Sequence, residues 1–295
     1  MQKMIPLKDY SILNISGEDA TSYLQGQLTV DVEAMSPLDC LFASQCDSKG
    51  KAWSNFYLLK THDNYQLIGN CQSLSNTERE LKKYGVFSKV TIDNVTESKF
   101  LYGQLSDENS DNVEKMQAIE TEQGIEVKLL GSPARQLMVL ETALSEDQLA
   151  DNQQAWNIAE IRAGVPHLSA AVSGEFVPQM YNLQALGGIS FTKGCYMGQE
   201  TIARTKYLGK NKRAGFVLQS ATPLEMQSGD ILEQNLGDNW RRAGTVIATG
   251  ASDDGTWVFA VLPNDLATET VIRAKQTPDA LFSIQALPYE IEESA

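Results

Sequence analysis

The residues best suited to chemistry gather in Lys193-Gly194-Cys195-Tyr196-Met197-Gly198-Gln199-Glu200. One cysteine lies there between glycines, beside a lysine, at the opening of a predicted short helix. The thiolate is the nucleophilic form of cysteine, and a nearby cation or a helix N-terminus favours it. Flanking glycine lets a ligand approach the backbone closely. Six of the 24 basic residues fall between Lys193 and Arg213, and Glu200 alone opposes them. They are Lys193, Arg204, Lys206, Lys210, Lys212 and Arg213. In a chain of formal net charge -14, that reversal of sign describes a cationic pocket around a thiol, suited to an anionic ligand.

Each neighbouring candidate has a second reading. Gln199 and Glu200, on the first turn of the helix, either hydrogen-bond a ligand or serve the helix start by capping and dipole complementation. Arg204, Lys206 and Arg213 suit a carboxylate or phosphate, against the reading of a solvated basic face. Trp156 is a stacking surface or the core residue of an amphipathic helix. His167 is a satisfied loop or core histidine, or a base for Cys195 in a protease-type dyad. Trp53, Trp240, Trp257, Cys40, Cys46 and Cys71 read as core.

Composition narrows the classes. Four cysteines without a Cys-x-x-Cys pair, and two histidines, do not supply a transition-metal site of protein ligands alone. The balance of 38 acidic against 24 basic residues argues against broad nucleic-acid binding and leaves the basic stretch as the route to RNA. Met1 to Pro6 carries no apolar leader core, and no run approaches a membrane span. A cytoplasmic protein with free thiols and no membrane partner is expected.

The elements that must position these groups alternate without a strict βαβ rhythm, so the expected class is α+β. Tyr10 to Ile15 reads as a strand. Ser16 and Asp19 have capping-box spacing before a helix with Ala20, Tyr23, Leu24 and Leu28 on its apolar face. Cys46 to Lys51 is a turn, followed by strands over Trp53 to Leu59 and Tyr65 to Gly69. A helix over Asn76 to Tyr84 stops at Gly85, and Val86 to Ile92 returns to strand. Residues 105–125 read as a polar surface excursion with a weak helix. Leu137 to Leu140 is a buried strand, Ser145 caps a helix with Gln148, and a helix over Asn152 to Ala163 stops at Gly164 and Pro166. After Arg213 short strand candidates cover Gly215 to Leu218, Arg242 to Thr249, Thr256 to Val261, Thr270 to Ala274 and Leu281 to Ala286. They suggest a small all-β barrel or sandwich. Glu290, Glu292 and Glu293 read as a solvated tail.

The Lys193 to Glu200 stretch, followed by Arg204 and Arg213, resembles the signature of the YgfZ family, folate-binding tRNA-modifying proteins related to the glycine-cleavage T-protein. The likeness extends to Pro178 to Thr192, Gly164-Val165-Pro166, Gln25-Gly26-Gln27, Cys46 to Lys51, Tyr84 to Val90 and Trp240 to Val246. It covers essentially the whole chain.

That resemblance implies two α+β portions around a central folate hole, with a C-terminal β-barrel closing it. The corresponding division is 1–45 with 141–212, 46–140, and 213–295. It implies a functional thiol at Cys195 and support of iron–sulfur enzymes, including the radical tRNA methylthiotransferase. It also implies tetrahydrofolate, or a one-carbon derivative, as cofactor. Aromatic positions beside the folate match Trp156 and Tyr10, where the familiar residue at the second is tryptophan. Lys193, Gln199, Glu200 and Arg204 complete the expected folate set. An accessory protein without turnover of its own is the leading expectation. A folate-dependent aminomethyl- or methyltransferase is the alternative, and it needs a carboxylate near the folate amine, for which Asp31 is inspected against a turn or cap. Direct tRNA contact through Arg204 to Arg213 is a third.

Overall fold

The structure is a computed structural model that describes residues 3–106, 113, 115–209 and 211–291; Lys210, Glu292 and Glu293 lie outside them. The elements run β1 (Ile5–Pro6), β2 (Tyr10–Ser16), α1 (Ala20–Gln27), β3 (Cys40–Cys46), β4 (Ala52–Lys60), β5 (Tyr65–Asn70), α2 (Cys71–Tyr84) and β6 (Thr91–Asn94). Then follow β7 (Phe100–Leu105), β8 (Gln117–Thr121), β9 (Gly124–Lys128), β10 (Arg135–Leu140), α3 (Gln153–Arg162) and α4 (Gln199–Tyr207). The last are β11 (Arg213–Ser220), β12 (Ile231–Leu236), β13 (Asn239–Ser252), β14 (Gly255–Pro263), β15 (Ile272–Ala274) and β16 (Thr277–Gln285).

One five-stranded sheet has the order β3-β4-β5-β2-β6, the other β1-β7-β10-β9-β8, and β11-β14-β13-β12-β15-β16 close a barrel. The period of two along β2, β4 and β14 divides their side chains between two cores. Tyr10 and Ile12 of β2, with Tyr57 and Leu59 of β4, enter a core shared by both sheets and the barrel. Leu13 and Ile15, with Phe56 and Leu58, face the other way and are covered by Tyr23 and Leu24 of α1 and Leu74 and Leu81 of α2. The barrel repeats the rule. Val258 and Ala260 of β14 fill its interior, whereas Phe259 and Val261 point into the shared core.

Local chemistry explains where the elements depart from sequence expectation. The helix expected from Asn76 begins at Cys71, because Asn70 caps it, its side chain accepting from the amides of Gln72 and Ser73 at 3.2 Å each. Asp19 stands at the N-cap of α1 without a side-chain cap bond. Its carboxylate instead accepts from the Lys89 amide at 2.8 Å. Val86 to Ile92 is not one strand: Gly85–Phe87 is a 3-10 turn and β6 starts at Thr91. Among the described residues of 105–125 there is no helix, and β8 pairs with β9 as a hairpin. Ser145 and Gln148 do form a capping box, on the 3-10 turn Glu146–Gln148. Strand β12, absent from the expectation, closes the barrel between β13 and β15. The division expected at 45/46 falls inside β3, where Cys46 pairs with Ala52 and carries one sheet across it.

Candidate functional site: a pinned thiol loop and a polar cleft

A helix leaves its last carbonyls without intrahelical donors. The end of α1 receives them from the 182–198 segment. Lys193 Nζ donates to the carbonyl of Gln25 at 2.6 Å, and to those of Leu28 and Val30 at 2.9 and 2.7 Å. The Met197 amide donates to the Gly26 carbonyl at 3.0 Å. A cation is thus placed at the negative end of the helix dipole. Burial pushes the Lys193 pKa down to about 8, and three acceptors seat the three ammonium hydrogens.

The other side of the loop rests on the β3–β4 turn. Asp47 Oδ1 accepts from the amides of Lys49 and Lys51 at 2.9 and 2.8 Å and shapes that turn. Gly198 packs on it with φ +82, and a Cβ there would stand 2.6 Å from the Asp47 carbonyl oxygen. No other residue fits without displacing the turn. Gln25-Gly26-Gln27, Cys46 to Lys51 and Lys193 to Glu200 therefore meet in space. Cys195 lies between the anchors Lys193 and Met197, is exposed, and makes no hydrogen bond among the described residues.

The cationic pocket expected from the sequence is dispersed. Lys193 is buried and saturated by carbonyls, so it is a staple and not a ligand contact. Arg213 Nη1 donates to the Ala243 carbonyl of β13 at 2.6 Å. Arg204 and Glu200 pair at 3.6 Å on the exposed face of α4, an arrangement worth about 0–1 kcal/mol. Lys206 Nζ stands 3.9 Å from the Phe191 ring centre. Gln199 opens α4, its amide donating to the Tyr196 carbonyl at 3.1 Å.

The aromatic half of the expected set lies elsewhere. A cleft of about 150 Å³ opens where α3, the segment after it and the start of β2 meet the barrel strand β13. Tyr10, Glu160, His167 and Ser228 line it, and no residue between Lys193 and Arg204 does. Trp156 is not a wall of the cleft. It is fully buried, its ring lies on Gly103, where a Cβ would stand 2.3 Å from Cε3, and its Nε1 donates to Tyr10 Oη at 3.3 Å. Direct stacking on Trp156 is therefore closed off, and the tryptophan positions Tyr10 instead.

Behind the cleft sits a buried charged network that sequence reasoning missed. Glu160 Oε1 accepts from Arg135 Nε at 2.6 Å. Its Oε2 accepts from Tyr57 Oη at 2.6 Å and lies 2.6 Å from His167 Nε2. Arg135 also donates to the Pro133 and Leu130 carbonyls at 2.6 and 2.8 Å. Burial pushes the Glu160 carboxyl up, but the Arg135 charge and the His167 and Tyr57 hydrogen bonds outweigh it and hold the pKa at about 2. An ionised carboxylate only accepts, so His167 Nε2 carries the hydrogen between them. His167 is thereby committed to Glu160 and not to Cys195, and no Cys–His dyad forms. Among the described residues no three His, Cys, Asp or Glu gather as metal ligands, and no helix is long and apolar enough to cross a membrane.

Two α+β sheets sharing a core with a C-terminal barrel define the aminomethyltransferase T-type fold. The glycine cleavage system aminomethyltransferase T of Bartonella henselae superposes on it with a TM-score of 0.70, over 97% of this chain and 85% of its own, at 12% identity. Residues 211–277 match the family model for the YgfZ β-barrel domain. The tRNA-modifying protein YgfZ of Colwellia psychrerythraea is 38% identical over 98% of this chain and 93% of its own length. That of Yersinia enterocolitica is 39% identical over the same shares. The chain belongs to the YgfZ family.

Proposed function

We propose that this protein is a cytoplasmic, folate-binding accessory factor in tRNA modification, serving an iron–sulfur enzyme of the methylthiotransferase kind through the Cys195 thiol. The observation that carries the reading is the convergence of three distant segments to hold one exposed cysteine between two anchors, the Lys193 ammonium and the Met197 amide. A thiol needed only for packing would be buried, as Cys40 and Cys46 are. The T-type fold supports folate as the cofactor, and the Tyr10 cleft supports its place. Tyr10 lines the cleft, and two buried polar atoms of the lining, His167 Nδ1 and Ser228 Oγ, lack partners. Bound tetrahydrofolate would supply one-carbon chemistry. The chain's own residues orient it, Trp156 through Tyr10 and Arg135 through Glu160 and His167. Glu200 and Arg204, exposed on the helix that Gln199 opens directly after the thiol loop, suit contact with the client enzyme or its tRNA. Asp31 Oδ1 accepts from Gln25 Nε2 at 2.9 Å and from the Ala34 amide at 3.4 Å, which supports the turn reading of that carboxylate over the transferase one.

The test is genetic and biochemical together. Deleting the gene in its host is expected to lower methylthiolated adenosine in tRNA, measured by mass spectrometry, and a wild-type plasmid to restore it. Purified protein is expected to bind tetrahydrofolate in calorimetric titration. Unchanged tRNA modification in the deletion strain would contradict the accessory role. Catalysed one-carbon transfer from an aminomethyl donor would favour the transferase.

A further inference from the structure

The thiol loop and α4 form one closed turn of chain. Phe191 enters it, Cys195 lies within it, and Lys206 on the last turn of α4 comes back to stand 3.9 Å from the Phe191 ring centre. Phe191 and Cys195 are so close in sequence that their Cα atoms lie within about 14 Å of each other even in an extended chain. A ligand resting on the Phe191–Lys206 contact is therefore held near the thiol. The surface at that return is cationic and aromatic. Residues 201–213 hold five basic residues and no acidic one. Arg204, Lys206 and Lys212 are exposed, and Tyr207 and Leu208 are 65% and 56% exposed. Arg204 and Tyr207, three residues apart, share a helix face.

Cations in the last turn also complement the helix dipole. That accounts for Arg204 and Lys206, but not for an exposed tyrosine beside them or for Lys212 beyond the helix. Glu200 pairs with Arg204 at 3.6 Å with its side chain 85% exposed, and so weak a contact yields readily to a phosphate. A second exposed aromatic corner, Tyr84 to Phe87, differs. Lys82, Lys83 and Lys89 beside it in sequence are each paired with a glutamate, so it offers a phosphate chain no surplus charge. Cations for phosphates, interleaved with an aromatic face for an unstacked base, are the groups that single-stranded RNA needs. We infer that the end of α4 seats an unpaired loop of RNA, with Arg204, Lys206 and Lys212 on its phosphates and a base stacked on Tyr207. This rests on the tRNA-modification reading above and names the partner that α4 brings beside Cys195 as the RNA rather than the client enzyme.

Fluorescence anisotropy of the full-length protein with an unmodified transcript of a tRNA that is methylthiolated in the host, titrated at several salt concentrations, tests it. Wild type is expected to bind with a log–log salt slope of about −2, from roughly three phosphate contacts on a single strand. Arg204→Gln/Lys206→Gln/Lys212→Gln is expected to flatten that slope and to weaken binding at low salt by about tenfold or more. Tyr207→Ala is expected to weaken binding about tenfold with the slope unchanged, the worth of one stacked base. Its thermal unfolding is expected to match wild type, so that variant decides if the triple variant folds poorly. A wild type that does not bind at low salt overturns the inference, and so does full affinity in the variants. Variants that keep tRNA but lose capture of the purified host methylthiotransferase overturn it in favour of a protein seat. Cys195→Ala is expected to bind tRNA like wild type. If it also restores the modification, the thiol reading falls and the RNA seat stands.

Discussion

Arg135→Met is expected to lower the free energy of unfolding by about 3–5 kcal/mol, the usual cost of stranding one member of a buried ion pair. Arg135 is 1% exposed and supplies the opposing charge that lets Glu160 stay ionised in the core. Without it, Glu160 must take up a proton or remain an uncompensated charge, and the Pro133 and Leu130 carbonyls lose their donors. The double variant Arg135→Met/Glu160→Leu is expected to recover part of the loss, because no charge is then stranded. Urea denaturation of the single and double variants measures both. A single variant within about 1 kcal/mol of wild type would contradict the buried-pair assignment.

Lys193→Met is expected to cost about 3 kcal/mol or more, since three carbonyls, those of Leu28 and Val30 buried, lose their donors together. The variant keeps the length and apolar stem of the side chain, so the loss belongs to the ammonium. Lys193→Arg is expected to rescue little, because a planar guanidinium does not aim its donors around a point as an ammonium does. The local consequence is sharper than the global one. The Met197 amide, bonded to the Gly26 carbonyl, is expected to exchange with deuterium faster in Lys193→Met, while amides of β13 and β14 keep their protection. Unaltered exchange at Met197 would show that the loop stands without its lysine.

Much of this fold was legible because its signals are local. Alternation in β2 and β4 gives their two buried faces. Asn152 and Gly164 bound α3 by cap chemistry that a sequence displays directly, and the barrel strands other than β12 follow from Gly, Asp and Asn punctuation. The start of α2 was lost because Asn70 caps from the end of a strand, where a cap is not sought. The hairpin β8–β9 was lost because a polar, largely exposed ribbon carries little hydrophobic period.

The site divides the same way. The Lys193 to Glu200 stretch was visible by composition, but lysine beside cysteine suggested electrostatic activation, whereas the ammonium reaches the end of α1, 165 residues away at Leu28. Trp156 and Tyr10 were found through family likeness, and their roles differ because burial is a property of the fold. The Arg135–Glu160–His167 network left no mark in the sequence, since its members come from separate elements and meet only once both sheets close.

The most direct test of the central claim, that the pinned loop presents Cys195 for tRNA modification, is the amount of methylthiolated adenosine in tRNA from a deletion strain carrying Cys195→Ala or Cys195→Ser. Protein levels are measured alongside. Cys195 is exposed and lacks hydrogen-bond partners among the described residues, so both variants are expected to fold and accumulate like wild type. Both are expected to leave the modification at the deletion level. Full restoration by Cys195→Ala at normal protein level would contradict the claim and reduce the loop to a structural clasp on α1.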